Sequence, residues 1–367
     1  MFKQYQLRNY NFRLLFYIIL VTIMGILIVG SAQESSQDKQ IFGMAIGMVA
    51  LIVCSLIDYH FLLKFQWLMY LLCVALLVAV LIFGKEVNGA TRWILIFGIQ
   101  FQPSELAKVL LILFFSKLFS DYREYINTVR LIGASLILIG IPLFLVYKEP
   151  NLSTTIAITL IFCSLLYVAG LSYKIIGGVL AVVIPLVIIF FSLIVQPDQP
   201  FFHDYQQERV LAWLEPEKYP DIAYQQLNSK MAIGSGQLYG KGLDTNEISS
   251  VKNGNFIAEP QTDFIFAVAG EELGFIGCCA IIILLFLIVL ECIWMGRKAR
   301  DLEGTLICCG MGAFIGFQSF INIGVATGLL PNTGIPLPFV SYGLTSLVTL
   351  FIGMGIVLNV GMQPKKY

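Results

Sequence analysis

Long runs of apolar residues, separated by short polar segments, dominate the chain. A helix needs roughly 20 predominantly apolar residues to cross the hydrocarbon core of a bilayer, and the runs approach or exceed that length. The runs cover residues 14–31, 41–57, 67–84, 105–120, 131–147, 154–171, 176–195, 264–295, 305–330 and 337–362. The pattern predicts an all-α, polytopic membrane protein with about ten transmembrane helices, in which residues 1–367 form a single membrane domain.

Basic residues in the short loops predict the orientation, because Lys and Arg concentrate on the cytoplasmic side of membrane proteins. Alternation of the runs places thirteen basic residues on the side of the N-terminus and four in the short loops opposite. The larger set is Lys3, Arg8, Arg13, Lys64, Lys117, Arg123, Arg130, Lys174, Arg297, Lys298, Arg300, Lys365 and Lys366. The smaller set is Lys39, Lys85, Arg92 and Lys148. We therefore expect both termini in the cytoplasm.

A long polar segment interrupts the pattern between the seventh and eighth predicted helices. Residues 196–262 form this large loop, and alternation places it on the outer face. Long polar loops are uncommon unless they have a function. A second, shorter outer loop covers residues 85–102.

Composition supports the membrane assignment and excludes other classes. The chain is 58% hydrophobic and 13% charged, whereas soluble domains carry roughly 25% charged residues. Net charge is +0 and the basic residues are dispersed, so nothing indicates nucleic-acid binding. The 8 cysteines lie in apolar runs without metal-ligand spacing, which indicates buried thiols and predicts neither a disulfide framework nor a zinc site.

Two charged residues lie at the start of the fourth predicted helix. Glu105 and Lys108 are three residues apart and therefore share a helical face. Charged groups inside a membrane cost roughly 2.5–3.5 kcal/mol each on insertion scales, so their presence needs a reason. The pair either neutralises itself or forms a polar cavity wall where Lys108 meets an anion. The residues alone favour neither interpretation.

Asp263 lies where the large loop enters the eighth predicted helix. Its position favours a helix N-cap. The same position suits a base whose pKa is raised by a low dielectric at the membrane surface. Glu271 and Glu272 follow two turns deeper, and at least one of them must face a protein interior or a cavity.

Two further segments have unusual composition. Residues 234–242 are Gly-rich and include Lys241, a composition that can bind a pyrophosphate through backbone N–H groups, although such loops are common. Residues 331–343 join the last two predicted helices and hold three prolines, which predicts a stiff, shaped loop.

These segments together resemble the SEDS family of shape, elongation, division and sporulation proteins, most closely its elongation member. The resemblance rests on residues 91–94, 102–108, 234–242, 262–266, 271–274 and 334–343, in that order along nearly the whole chain. One departure concerns a Gln-Pro-Asp-Leu-Gly motif common in the family, which reads Glu149-Pro150-Asn151-Leu152-Ser153 here. A carboxylate is therefore missing at Asn151, and Glu149 is a candidate to compensate for it.

The resemblance implies a peptidoglycan glycosyltransferase that polymerises lipid II into glycan strands at the outer face of a bacterial cytoplasmic membrane. It also implies a class B penicillin-binding protein as the transpeptidase partner. The family's essential acidic residue falls on Asp263, which would be the general base, and its buried Glu–Lys pair falls on Glu105 and Lys108. The alternatives are a lipid II flippase or transporter, and a division or sporulation member of the same family.

In the implied reaction, the 4-hydroxyl of one sugar attacks the anomeric carbon of a glycan linked to undecaprenyl pyrophosphate, with inversion. Positive charge must stabilise the departing pyrophosphate. Basic side chains or a divalent cation such as Mg²⁺ or Mn²⁺ would supply it. The candidate side chains are Lys108, Arg92, Arg209 and Lys241.

Overall fold

The computed structural model describes residues 9–87, 90–96, 99–149, 151–194, 204–244 and 256–363. These residues form α-helices with short connections, apart from one small sheet and a 3₁₀ turn at Arg123–Tyr125. The helices are α1 Phe12–Ala32, α2 Glu34–Leu56, α3 Tyr59–Leu63, α4 Gln66–Phe83, α5 Pro103–Asp121, α6 Val129–Lys148, α7 Leu152–Ala169, α8 Tyr173–Ile194, α9 Asp204–Leu214, α10 Pro220–Ser235, α11 Ile265–Lys298, α12 Leu302–Ala326 and α13 Leu344–Gly361. The strands are β1 Lys85–Val87, β2 Ala90–Ile96 and β3 Ile99–Phe101.

Each of the ten predicted spans coincides with a helix, which confirms the polytopic helical fold. In the described part of the chain, eight helices are long and apolar enough to cross a membrane, namely α1, α2, α4, α6, α7, α11, α12 and α13. The other two spans, 105–120 and 176–195, coincide with α5 and α8. Charged residues within α5, including Glu105 and Lys108, lower its apolar character. Residue 195, at the end of the predicted seventh span, lies outside the described residues.

The boundaries of two predicted spans were wrong, because local chemistry overrides hydropathy there. The second helix begins at Glu34 instead of 41, since its first turns are polar yet helical. The last helix begins at Leu344 instead of 337, since prolines at 336 and 338 hold the preceding segment out of a helix.

The two loops that are predicted to lie on the outer face contain structure that hydropathy did not predict. In the shorter loop, strands β1, β2 and β3 form an antiparallel sheet of order β1-β2-β3, an exception to the all-helical expectation. Lys85 pairs with Trp93 and Ile94 pairs with Phe101, so Arg92 is held in the central strand. The large loop contains α9 and α10, whereas its residues 196–203 and 245–255 lie outside the described part.

The centre of the bundle consists of α5, α12 and α13, whose side chains are mostly buried. Helix α13 packs mainly against α2, while α12 packs against α11, α7 and α5. Close approach of helices depends on small residues at their contacts. A Cβ on Gly355 of α13 would lie 2.5 Å from the Leu51 carbonyl oxygen of α2. Similarly, a Cβ on Gly25 of α1 would lie 2.7 Å from the Cα of Val340, so the segment 331–343 packs directly onto α1.

Candidate active site around Asp263

Asp263 lies immediately before α11, at the end of the bundle that carries the sheet and the large loop. Its backbone carbonyl accepts a hydrogen bond of 2.8 Å from Asn322 Nδ2 of α12. The same nitrogen donates to the Ile335 carbonyl at 2.7 Å, so one side chain joins Asp263 to the segment 331–343. That segment is joined again nearby, where Ser341 Oγ donates to the Thr262 carbonyl at 2.6 Å.

The Asp263 side chain does not cap α11, contrary to the interpretation that its position favours. Phe264 occupies the cap position, and the helix has no side-chain cap hydrogen bond there among the described residues. Among the residues that the structure describes, none donates a hydrogen bond to the Asp263 carboxylate. A carboxylate accepts several hydrogen bonds when ionised, so this one retains capacity for a ligand.

Two arginines face the Asp263 carboxylate from distant parts of the sequence. A Cβ placed on Gly334 would stand 3.1 Å from Asp263 Oδ2 and 4.0 Å from Arg92 Nη1. Arg92 Nε donates to the Glu149 carbonyl at 3.2 Å, and Arg209 Nη1 donates to the Asn332 carbonyl at 3.0 Å. Strand β2 and helix α9 thus direct two cations to one carboxylate.

Burial raises the pKa of Asp263 to about 6, because desolvation disfavours the charged form. Arg92 and Arg209 oppose this shift, and the Glu259 carboxylate adds to it. A carboxylate with a pKa of about 6 is mostly ionised at neutral pH and is a stronger base than an exposed aspartate.

Glu149 is the C-cap residue that follows α6, and it lies beside the same arginine. Its side chain is 0% exposed, and neither carboxyl oxygen has a hydrogen-bond partner among the described residues. Burial raises the pKa of Glu149 to about 8, and the Arg92 charge opposes this shift. Residue Pro150, which follows it, lies outside the described part.

Asn151 begins the next helix and has a structural role here. Its Oδ1 accepts a hydrogen bond of 3.3 Å from the Thr154 backbone N–H, so it is the N-cap of α7. Two residues on, Ser153 Oγ donates to the Thr333 carbonyl at 2.5 Å and joins α7 to the segment beside Asp263. An amide at position 151 therefore serves the cap as a carboxylate would.

Glu105 and Lys108 form a buried ion pair within the bundle, away from direct contact with Asp263. Lys108 Nζ lies 2.6 Å from Glu105 Oε1 and donates to Gln318 Oε1 at 2.5 Å. Ser346 Oγ of α13 donates to the other Glu105 oxygen at 2.9 Å. Gln318 Nε2 donates in turn to the Pro336 carbonyl at 2.9 Å. One turn along α12, Asn322 binds Asp263, so α12 links the ion pair to the Asp263 loop.

Comparison with known proteins identifies the family. A profile of the cell cycle protein family that comprises FtsW, RodA and SpoVE matches residues 6–366. The chain belongs to this family. The resemblance to SEDS proteins inferred from the motifs is thereby confirmed.

Relatives of the FtsW/RodA/SpoVE family match along nearly their full length. The Escherichia coli K12 protein named peptidoglycan glycosyltransferase MrdB is 34% identical over 357 residues, which cover 96% of this chain and 93% of MrdB. A Bacillus subtilis protein named probable peptidoglycan glycosyltransferase FtsW is 31% identical over 381 residues, which cover 98% and 92% of the two chains.

Solved structures share the fold of this FtsW/RodA/SpoVE member. A chain from a structure titled as structural coordination of polymerization and crosslinking by a peptidoglycan synthase complex matches with a TM-score of 0.80 and 26% identity, covering 96% of this chain and 97% of that one. The Thermus thermophilus rod shape determining protein RodA matches with a TM-score of 0.70 and 24% identity, and 98% of each chain is covered.

Lys241 lies in a different cluster from the other candidate residues. Its Nζ lies 2.9 Å from Glu271 Oε1, and its backbone N–H donates to the Glu271 carbonyl at 2.9 Å. The Gly-rich stretch packs directly on α11, since a Cβ on Gly236 would overlap the Gly270 carbonyl oxygen. The neighbouring Glu272 accepts a hydrogen bond from Ser31 Oγ. Lys241 and Glu271 thus form an ion pair between the Gly-rich stretch and α11.

Among the described residues, no group of three ligand side chains lies close together around Asp263. A group of three ligand side chains within reach of one ion occurs in the described part at His60, Asp301 and Glu303, near α3 and the start of α12. The charges that act on Asp263 are Arg92, Arg209 and the Glu259 carboxylate.

Proposed function

We propose that this chain polymerises lipid II into glycan strands, as an inverting peptidoglycan glycosyltransferase in which Asp263 is the general base. The family and the names of its relatives support the reaction class. The observation that carries the assignment of the base is the Asp263 carboxylate, which receives no hydrogen bond from the described residues and faces two arginines.

The acceptor in this reaction is the 4-hydroxyl of a sugar, a weak nucleophile at neutral pH. A positioned base contributes typically about 10²–10⁴-fold to such a step. Asp263 takes the hydroxyl proton as the oxygen attacks the anomeric carbon of the donor. The bond from that carbon to the diphosphate oxygen breaks in the same displacement, which inverts the anomeric centre.

The diphosphate leaving group gains negative charge in the transition state and needs fixed positive charge. Arg92 and Arg209 are anchored to the backbone carbonyls of Glu149 and Asn332 and suit this role. One guanidinium can bind two phosphate oxygens at once, and this bidentate contact also orients the glycan donor. We assign Lys241 to the ion pair with Glu271 rather than to the leaving group.

Glu105 and Lys108 hold the site in place rather than contact the reacting atoms. Both are buried; Lys108 is bonded to Gln318 of α12, and Glu105 is bonded to Ser346 of α13. Gln318 is bonded in turn to the Pro336 carbonyl. A pair built this way positions the segment 331–343, which borders Asp263.

The site faces the outside of the cytoplasmic membrane, with both termini in the cytoplasm, as the bias of basic residues indicates. The partner is a class B penicillin-binding protein, which a structural relative within a complex for polymerisation and crosslinking supports. Similarity to MrdB and to RodA favours cell elongation over division or sporulation.

The test is polymerisation of labelled lipid II by the purified full chain with its penicillin-binding partner, whose transpeptidase is blocked. Wild type is expected to make glycan strands, and Asp263→Asn is expected to lose at least about 10²-fold in rate. Glu208→Gln removes an exposed carboxylate of α9 beside Arg209 and is the matched control, expected to match wild type. Equal rates for wild type and Asp263→Asn would exclude Asp263 as the base. If a folded wild-type complex made no polymer, the proposed glycosyltransferase activity would be excluded.

A further inference from the structure

Glu149 is a buried carboxyl beside the site to which the reaction above gives no role. It is 0% exposed at the junction of α6 and α7. Neither oxygen has a hydrogen-bond partner in the part of the chain that the structure describes. Burying an ionised carboxylate without partners is far more costly than burying the neutral acid. The resting form of Glu149 is therefore the protonated acid.

The backbone of Glu149 is connected to the reacting groups through Arg92. Its own backbone carbonyl accepts the Arg92 Nε hydrogen bond at 3.2 Å. Arg92 Nη1 is also the atom that lies 4.0 Å from the Cβ position of Gly334, where Asp263 Oδ2 lies 3.1 Å away. One guanidinium therefore reaches from the Glu149 turn towards Asp263.

The attraction between the Glu149 carboxyl and Arg92 depends on the charge of the carboxyl. While the carboxyl is neutral, it attracts Arg92 weakly, and the guanidinium stays directed at Asp263. An ionised carboxylate at the same place would bind the guanidinium in the bidentate geometry that carboxylates prefer. Arg92 would then turn away from Asp263 and from the diphosphate.

We propose that Glu149 is a positioning residue whose neutral form keeps Arg92 directed at the reacting groups, and whose ionisation withdraws it. This inference rests on the proposed function. Among the described residues, the ionisable groups that act on or respond to Glu149 are Arg92 from β2 and the Cys73 thiol from α4. Arg92 is the only cation of the two, so it is the group that responds.

The measurement is the initial rate of lipid II polymerisation between pH 6.5 and 9 for wild type, Glu149→Gln and Glu149→Met, each with its penicillin-binding partner. Glutamine and methionine stay neutral at every pH, and both match glutamate closely in size. Because the pKa of Glu149 is about 8, the ratio of the Glu149→Gln rate to the wild-type rate is expected to be about one at pH 7. The ratio is expected to rise to about tenfold at pH 9.

Glu149→Met protects the test against misfolding. The buried amide of glutamine could destabilise Glu149→Gln. The apolar Glu149→Met variant is still expected to fold, because the native carboxyl makes no hydrogen bond with the described residues that methionine would lose. Glu208→Gln is the control whose rate is expected to parallel wild type at every pH. A ratio that stays constant with pH, or loss of activity at pH 7 in folded variants, would overturn the role of Glu149.

Failure of this inference can be told apart from failure of the proposed function. If wild type makes no glycan at any pH, the proposed polymerisation is wrong. If wild type makes glycan and both neutral variants follow the wild-type profile, only the role of Glu149 is wrong.

Discussion

Asp263 and Glu105 are both carboxylates at the same end of the helix bundle, yet their surroundings differ. Glu105 is bonded to Lys108 and Ser346, and Lys108 is bonded to Gln318, so these groups are saturated by one another. Asp263 receives no hydrogen bond from the described residues and is approached by two arginines that are anchored elsewhere. The difference separates a carboxylate that holds helices together from one that has capacity for a substrate.

Removal of one member of the buried pair is expected to have the largest effect. Lys108→Met leaves Glu105 without its cation, and breaking a buried pair this way costs about 3–5 kcal/mol of unfolding free energy. The double variant Glu105→Gln/Lys108→Met is expected to recover much of that loss, since no charge remains unpaired. Thermal unfolding in detergent measures both. A folded double variant that makes no glycan would show that the pair takes part in the chemistry.

Replacement of Arg92 tests the other side of the comparison. Arg92→Ala is expected to lower the polymerisation rate by about 10²–10³-fold, as the loss of one preorganised charge donor does at other sites. Arg92→Lys retains the charge without the planar fork and should lie between alanine and wild type. An Arg92→Ala complex with the wild-type rate and thermal stability would remove this arginine from the site.

Some features of the fold and of the site could be predicted from the sequence, and others could not. The spans could be predicted because long apolar stretches are a direct requirement of the bilayer. The Glu105 and Lys108 pair followed from helical spacing. Their partners Gln318 and Ser346 could not be predicted, because they come from helices far along the chain.

The relative positions of the loops could not be predicted either, because the residues that meet there are far apart along the chain. Arg92 and Arg209 were candidates for the pyrophosphate because they are basic residues of the predicted outer loops, but their convergence on Asp263 depends on the small sheet and on α9. Lys241 was a candidate for pyrophosphate because of its Gly-rich neighbours. Those glycines instead allow contact between the backbone of this stretch and α11, which brings Lys241 to Glu271.

A change at Gly334 sharpens the comparison by moving Asp263 without altering its chemistry. Gly334 has φ of +65°, and a Cβ there would stand 3.1 Å from Asp263 Oδ2. Gly334→Ala is expected to lower the rate by about tenfold or more through backbone strain and displacement of the carboxylate. Gly133→Ala is the matched control, since a Cβ at that position meets nothing within 4 Å. Equal rates for both variants would show that Asp263 tolerates displacement.

The smallest effect is expected at a saturated cluster near α3 and the start of α12. His60 Nδ1 lies 2.9 Å from Asp58 Oδ1, and His60 Nε2 lies 2.7 Å from Asp301 Oδ2. The hydrogen bond with Asp301 raises the pKa of His60, partial burial opposes it, and Asp58 adds to it. Such a contribution is complete below the ordinary pKa of histidine and is lost as pH rises through the raised pKa.

His60→Asn is therefore expected to lower the free energy of unfolding by at most about 1 kcal/mol, because the cluster is partly exposed. The loss should be present at pH 6 and should shrink towards pH 9, and thermal unfolding at the two pH values measures it. Polymerisation at neutral pH is expected to stay at the wild-type level. A loss that grows with pH would contradict a protonated His60.

The most direct test of the account is the pH dependence of the initial polymerisation rate of the wild-type complex between pH 5 and 7.5, with lipid II binding measured in parallel. Because Asp263 must be ionised to accept a proton and burial raises its pKa to about 6, the rate should be half-maximal near that pH. Below that pH it should fall about tenfold per pH unit while binding persists. A rate that stays constant down to pH 5 with full binding would contradict the assignment of Asp263 as the base.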